Sequence, residues 1–382
     1  MILIALSIGF SPLFANDDEK KEKDDEKGFI FTTVVEQKCT SVKNQARTGT
    51  CWSFATTSFI EAELIRMGED SLDLSEMFNV RHTYPLKAQN YVRHHGNATI
   101  GQGSLFQDVL NVIRKEGFVP ESVYSGQVIG EPRHNHNELY AALRGFLNAI
   151  IKTGKLTPVW PQAVDGILDA YLGPLPQKFM FKGKEFTTKS FAKQTKFNAD
   201  AYIELTSYTH HPFYSKFAVE VPDNWARHLS HNLPLDELMS VVDHALNHGF
   251  TVAWDGDTSE KSFQHKKGVA ILPLKEWDDR TKDERKTICE LPETERVVTQ
   301  ELRQNYFDNY TSKDDHLMHL TGISKDQNGT KYYITKNSWG EKESKFNGFL
   351  NMSESYARAK TVSVLVHKDA IPKNIAKILN LK

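Results

Sequence analysis

The sequence predicts an α+β fold with helices and strands segregated along the chain. Three observations carry this. Apolar residues recur at helical spacing through residues 51–151 and again at 235–246. From residue 252 onward, short β-branched and aromatic runs take over. The chain has 382 residues, 39% hydrophobic and 25% charged, which suits one globular domain with large insertions or about two domains. That composition excludes a collagen, a coiled-coil rod and a wholly disordered chain.

The elements follow in order. Residues 2–10 (ILIALSIGF) are apolar but too short to span a bilayer. Ser11-Pro12 breaks the run, and Leu13-Phe14-Ala15 ends on a small residue. Residues 1–15 are therefore expected to be a signal peptide, making the protein exported, periplasmic or secreted; if the run is not a signal, the protein is cytoplasmic. Asp17 to Lys27 is an unbroken charged run. It cannot bury apolar surface, so 16–28 is expected to be a solvated tether to the domain at 29–382. Phe29–Val35 reads as a strand. Cys51–Arg66 reads as a helix with Phe54, Ser58, Phe59, Ala62 and Ile65 on one face. Leu105–Lys115 and Glu138–Ile151 read as two more helices, the first ended by Gly117. Residues from about 130 to 215 are expected to form a helical insertion. Leu235–Leu246 is another helix. Strands are expected at 252–254, 269–272, 319–324, 331–336, 348–352 and 362–367.

Lys+Arg 47 against Asp+Glu 49 leaves no basic excess, so no nucleic-acid partner is expected. Nor is any run beyond the leader long and apolar enough to span a membrane. The chain has three cysteines, too few for a disulfide scaffold and odd in number. Cys39 and Cys289 could pair in an oxidising compartment, but nothing around them indicates it, and two buried free thiols are expected.

Cys51 opens a helix directly after the turn permitted by Gly49. A thiol there feels the helix dipole and unpaired N–H groups, which lowers its pKa and favours the nucleophilic thiolate. A thiolate nucleophile needs a base near neutrality, and His316 qualifies. The base needs an orienting acceptor, which the Asn337 side-chain oxygen can supply. His316 leads one predicted strand and Asn337 follows the next, so a hairpin brings them together. Gln45 can place an amide donor beside the thiol and, with the Cys51 N–H, form an oxyanion hole.

The motifs QxxxxxCWSFA, DHxMHxxG and KNSWG, in this order, resemble the papain superfamily of cysteine peptidases. The resemblance implies a papain-like two-lobed fold: a helical lobe carrying Cys51, and a β half-barrel lobe carrying His316 and Asn337. It also implies that Cys51 is the nucleophile, His316 the base, Asn337 its orienter and Gln45 the oxyanion donor. Trp339 would shield the His316–Asn337 contact. Gly101 and Gly103 would belong to a glycine-rich edge running along the substrate, and Leu74-Ser75-Glu76 resembles the element after the active-site helix. The long gap between Cys51 and His316 resembles the bleomycin hydrolase and aminopeptidase C branch. So do NQARTGTCWSFATTSFIE, His211-Pro-Phe-Tyr-Ser-Lys, Asn232-Leu-Pro-Leu-Asp-Glu-Leu, Val252-Ala-Trp-Asp-Gly-Asp257 and Val366-His-Lys-Asp-Ala-Ile-Pro. The resemblance spans roughly residues 30–375. It implies peptide substrates, no metal or organic cofactor, aminopeptidase or oligopeptidase action, and an oligomer (a hexamer in relatives). In that branch a C-terminal arm reaches the cleft and its carboxylate meets the substrate amine. Here Asn380-Leu381-Lys382 follow soon after the IPKNIAKIL segment, which makes an endopeptidase the first alternative. A catalytically silent binding protein is the alternative from another class.

His319 and His316 lie three apart on a strand and point to opposite faces, which argues against a shared metal with Asp314 and Asp315. His94-His95, His134, His136 and His210-His211 are expected to be surface or loop histidines. Asp255 and Asp257 are expected to be solvated loop carboxylates rather than cleft residues. Trp52 and Trp254 are expected to pack.

Overall fold

The computed structural model describes residues 28–381. The expected leader lies outside the described residues, as does the tether except for Gly28.

Residues 51–66 contain no proline or glycine and are rich in Ala, Leu, Ile and Glu, all compatible with helix. They form α1 (Cys51–Arg66), and 13 of its residues are buried. A helix buried on nearly every side sits at the centre of its lobe. α2 (Glu76–Arg93) begins at Ser75, whose side chain accepts from the Phe78 N–H. It runs through Pro85, which hid it from the periodicity argument. α3 (Phe106–Glu116) ends at Gly117 as expected. α4 (Asn137–Ile151) and α5 (Trp160–Leu172) follow. Leu139, Leu143, Leu147, Val164, Leu168 and Leu172 join the core that also holds Trp52, Phe54 and Phe59. Arg81 of α2 reaches Asp165 and Asp169 of α5 at 3.0 and 2.8 Å. The inserted helices therefore complete the first lobe.

β1 (Thr32–Glu36) precedes all of these. The short pair β2 (Phe179–Phe181) and β3 (Lys184–Phe186) leads to α6 (Thr188–Gln194). The chain then runs into β4 (Tyr202–Thr206), β5 (Lys216–Phe217) and β6 (Ser230–Asn232). These strands belong to the main sheet, so the end of the 130–215 stretch is sheet rather than inserted helix. After α7 (Leu235–Asn247) come β7 (Val252–Gly256), β8 (Phe263–Gln264), β9 (Val269–Ala270), β10 (His316–Lys325), β11 (Lys331–Lys336), β12 (Phe349–Ser353) and β13 (Thr361–His367).

The described sheet has 11 strands in the order β5-β6-β4-β13-β7-β10-β11-β12-β9-β8, with β1 pairing β10. Its own core includes Leu238, Val242 and Leu246 of α7 with Trp254, Met318 and Val364 of the strands. α1 packs against β10, so the helical lobe meets the sheet along one seam. No described helix is long and apolar enough to cross a membrane.

Candidate active site

β10 starts at His316 and its antiparallel neighbour β11 ends at Lys336. His319 pairs with Lys336 in the ladder. Asn337 therefore emerges beside His316, as the hairpin argument required. His316 Nε2 lies 2.7 Å from Asn337 Oδ1. Asn337 Nδ2 donates to His265 Nδ1 at 3.3 Å, and the Ser338 N–H donates to Oδ1 at 2.7 Å. Oδ1 thus faces the imidazole as an acceptor, which puts a proton on His316 Nε2 and leaves Nδ1 as the free lone pair. The Trp339 ring lies over that contact, 4.9 Å from the His316 centroid and inclined by 32°.

Cys51 opens α1 and is buried. The backbone N–H of Leu317, the residue after His316, donates to its sulfur. The structure thus brings the thiol to the start of β10. Its protonation differs from the expectation. Burial pushes the Cys51 thiol up to about 12, with Asp314, Asp223 and Asp255 pushing the same way. Burial also pushes the His316 imidazole below its ordinary value. A helix terminus favours a charge by at most ~2 kcal/mol, whereas burying one costs several. The resting pair in the closed seam is therefore neutral.

Gln45 is held from three sides. Its N–H donates to Ser338 O at 2.8 Å, its Oε1 accepts from Ser338 Oγ at 2.6 Å, and its Nε2 donates to Thr48 O at 2.8 Å. One Nε2 hydrogen remains for an oxyanion. Ser338 of KNSWG therefore orients Gln45, a link no local motif reading contained.

The glycine edge is stitched to the start of α1. Gly49 N–H donates to Gln102 Oε1 at 2.8 Å, and Trp52 Nε1 donates to Gln102 O at 3.0 Å. The buried Lys87 ammonium donates to Gly103 O. Gly101 and Gly103 are both partly exposed along this edge.

Several expectations are corrected. Asp255 and Asp257 are both 0% exposed rather than solvated: Asp255 lies on β7, which runs between β13 and β10 in mid-sheet, and Asp257 in the loop directly after it. Asp257 is satisfied by Ser259 and the Lys313 N–H. The Asp255 carboxyl meets no partner other than the neighbouring Asp314 carboxyl. His134 and His136 lie in a loop, as expected, but are buried there, and burial holds them at about 4 and about 3. They sit there because the Arg47 backbone clamps their segment, through the bonds Arg47 N–His134 O and His136 N–Arg47 O. Cys39 and Cys289 are both free, Cys289 buried and Cys39 only partly so. His319 turns into the seam, 3.0 Å from Ser58 Oγ. Among the described residues, His210, His211 and Glu220 alone cluster like metal ligands. There the Glu220 carboxylate pairs with both Nε2 atoms, at 3.0 and 2.7 Å.

On the Trp339 side the cleft opens into a cavity of about 770 Å³, lined by Trp339, His265, Phe263, His134, Arg47 and Arg133 among others.

The model of the Peptidase C1-like family matches residues 177–382, and that of the papain family cysteine proteases matches residues 32–138. The chain is 25% identical over 319 residues to an aminopeptidase C of Lactobacillus helveticus, covering 72% of this chain and 64% of that protein. It thus spans less than two thirds of the length of that curated relative. The crystal structure of pepw from Lactobacillus rhamnosis HN001 superposes with a TM-score of 0.71 at 19% identity. That match covers 94% of this chain and 86% of the other, and shows a shared fold.

Proposed function

Because this chain belongs to the Peptidase C1-like family, on the aminopeptidase C branch of the papain superfamily, we propose that it is a cysteine peptidase hydrolysing peptide bonds through a thioester on Cys51. We further propose that it acts at the amino end of peptides. The observation that carries the chemistry is the His316–Asn337 contact of 2.7 Å, made by the residue adjoining the amide that donates to the Cys51 sulfur.

The steps follow from the groups in place. As Sγ attacks the scissile carbonyl carbon, its proton passes to His316 Nδ1. The carbonyl oxygen becomes an oxyanion that accepts from the Cys51 N–H and from Gln45 Nε2. Asn337 Oδ1 and the Trp339 ring hold the imidazolium in orientation. The C–N bond then breaks, and Nδ1–H protonates the departing amine. The amine leaves through the open side lined by Trp339. Water, deprotonated by Nδ1, attacks the thioester carbonyl, releasing the acid and restoring the thiol. No step calls on a metal or organic cofactor.

The test combines labelling and turnover. Wild-type protein is expected to react with the thiol label E-64 and to cleave amino-acyl or peptidyl fluorogenic amides. Cys51→Ala should do neither. Labelling and hydrolysis that both persist in Cys51→Ala, or are both missing from wild type, would remove the peptidase reading and leave a binding protein.

A further inference from the structure

The Asn337 amide is held from a side that none of the sequence motifs names. Its oxygen faces the His316 Nε2–H and accepts from the Ser338 N–H, while its Nδ2 donates to His265 Nδ1 at 3.3 Å. Among the described residues, His265 is the acceptor that Nδ2 meets. The His265 ring is only 6% exposed, and its Nε2 is buried with no hydrogen-bond partner. The bond to Asn337 is thus the one side-chain hydrogen bond this imidazole makes among the described residues. An apolar side chain of similar size would fill the place at less cost in lost hydration. What the neutral imidazole adds is a lone pair directed at Asn337.

The ring is well placed to serve as a fixed acceptor. His265 follows β8 and opens a short turn, His265–Lys267, closed by the Gly268 N–H donating to His265 O at 2.9 Å. Gly268 has φ +70°, and a Cβ there would overlap the Phe346 ring. The Gly268 carbonyl accepts from the Asn351 N–H at 2.9 Å, which pins the turn to β12. The same segment braces the indole. The His265 ring stands edge-on to Trp339 at 4.9 Å and 83°, and the Phe263 ring at 6.1 Å and 75°. Trp339 in turn covers His316. Residues 263–265 therefore support both groups that hold the base.

We propose that His265 is a positioning residue of the catalytic site, whose Nδ1 locks the Asn337 amide with its oxygen towards His316. This deepens the peptidase reading above and rests on it. An amide that turns over exchanges its oxygen and nitrogen. Turned over, Asn337 would set Nδ2–H against the His316 Nε2–H and Oδ1 against the His265 lone pair. Donor would meet donor and acceptor would meet acceptor. The mismatch grows when His316 takes the Cys51 proton and becomes positive, so the lock acts on turnover more than on substrate binding. His265 acts through Asn337 and takes no proton itself.

The experiment uses the full chain and one amino-acyl fluorogenic amide, with kcat and KM measured at neutral pH and folding followed by thermal melting. His265→Phe keeps a flat ring against Trp339 and removes the acceptor. It is expected to lower kcat about tenfold, the effect of one hydrogen bond left unmade in a closed site, with KM within about twofold of wild type. His265→Asn, whose amide oxygen can take the place of Nδ1, should recover most of that loss. In an Asn337→Ala background, adding His265→Phe should change kcat by less than about twofold, since no amide remains to be turned. If His265→Phe does not fold, His265→Leu takes its place in every comparison. A kcat near wild type in the variant without the acceptor overturns the positioning role, as does an equal loss in His265→Asn or a loss that persists in full beside Asn337→Ala. All three leave the peptidase reading standing. Wild type that neither takes E-64 nor cleaves the amide overturns the peptidase reading, and the positioning role with it.

Discussion

At the scale of single residues, the imidazole is held by its surroundings rather than by its own strand. His265 is neutral, held at about 4 by burial, and its Nδ1 accepts from Asn337 Nδ2. That bond turns the Asn337 oxygen towards His316. Gln45 is oriented in the same way, through Ser338. Removing one preorganised oxyanion donor costs about 10²–10³ in kcat. Gln45→Ala is therefore expected to lose turnover on that scale while Cys51 still takes E-64, as kcat measurements beside labelling rates would show. An activity within twofold of wild type would take Gln45 out of the oxyanion hole. The thiol shows where local reasoning stops: its place at a helix start was readable, but its burial came from β10, far along the chain.

At the scale of elements, α1 was legible residue by residue because its pattern contains no competing signal. α2 was not, since Pro85 interrupts it and its polar residues Asn79, Arg81 and Lys87 are buried against other elements. β7 was read too short, and its Asp255 was placed in a loop. Strand β10 depends on a close approach that only glycine allows. A Cβ on Gly322 would overlap Val35 O and lie 3.0 Å from Glu36 Cα, where β1 pairs with β10. Gly322→Ala is expected to destabilise the protein by about 1–3 kcal/mol, the usual cost of overpacking. A lower urea midpoint with an unchanged m-value would show this. An unchanged midpoint would mean that β1 contributes little to the fold.

At the scale of the whole molecule, the two lobes are joined by buried polar contacts, and this makes stability depend on pH. Lys336 Nζ reaches Ser58 Oγ at 2.7 Å and Thr40 Oγ1 at 3.1 Å across the seam. Burial raises Glu76 to about 8, and Glu121, Glu295 and Asp314 to about 7. A carboxyl raised on folding contributes stability that is complete below its unfolded value and is lost as pH rises through its folded value. The buried imidazoles act in the other direction. His82, His134, His231 and His265 are held at about 4, so their contribution is present above about 6.5 and lost as pH falls towards 4. Above pH 6.5 these imidazoles no longer change, while the carboxyls, the raised His228 and the Cys51 and Cys289 thiols held up to about 12 all lose stability as pH rises. Tm is therefore expected to fall between pH 6.5 and 8.5, as scanning fluorimetry across that range would register; a steady rise would contradict these burials. The sequence alone determined the local placements that short motifs encode: a thiol at a helix start, the His-led strand, the asparagine after its neighbour, and the α+β order of elements. Those depend on residues close in sequence or on strand and helix periods. The tertiary structure decided which carboxylates lose water, which histidines stay neutral and what holds the glycine edge. Each of these is set by segments tens to hundreds of residues apart, and no local pattern records the field or the solvent they exclude.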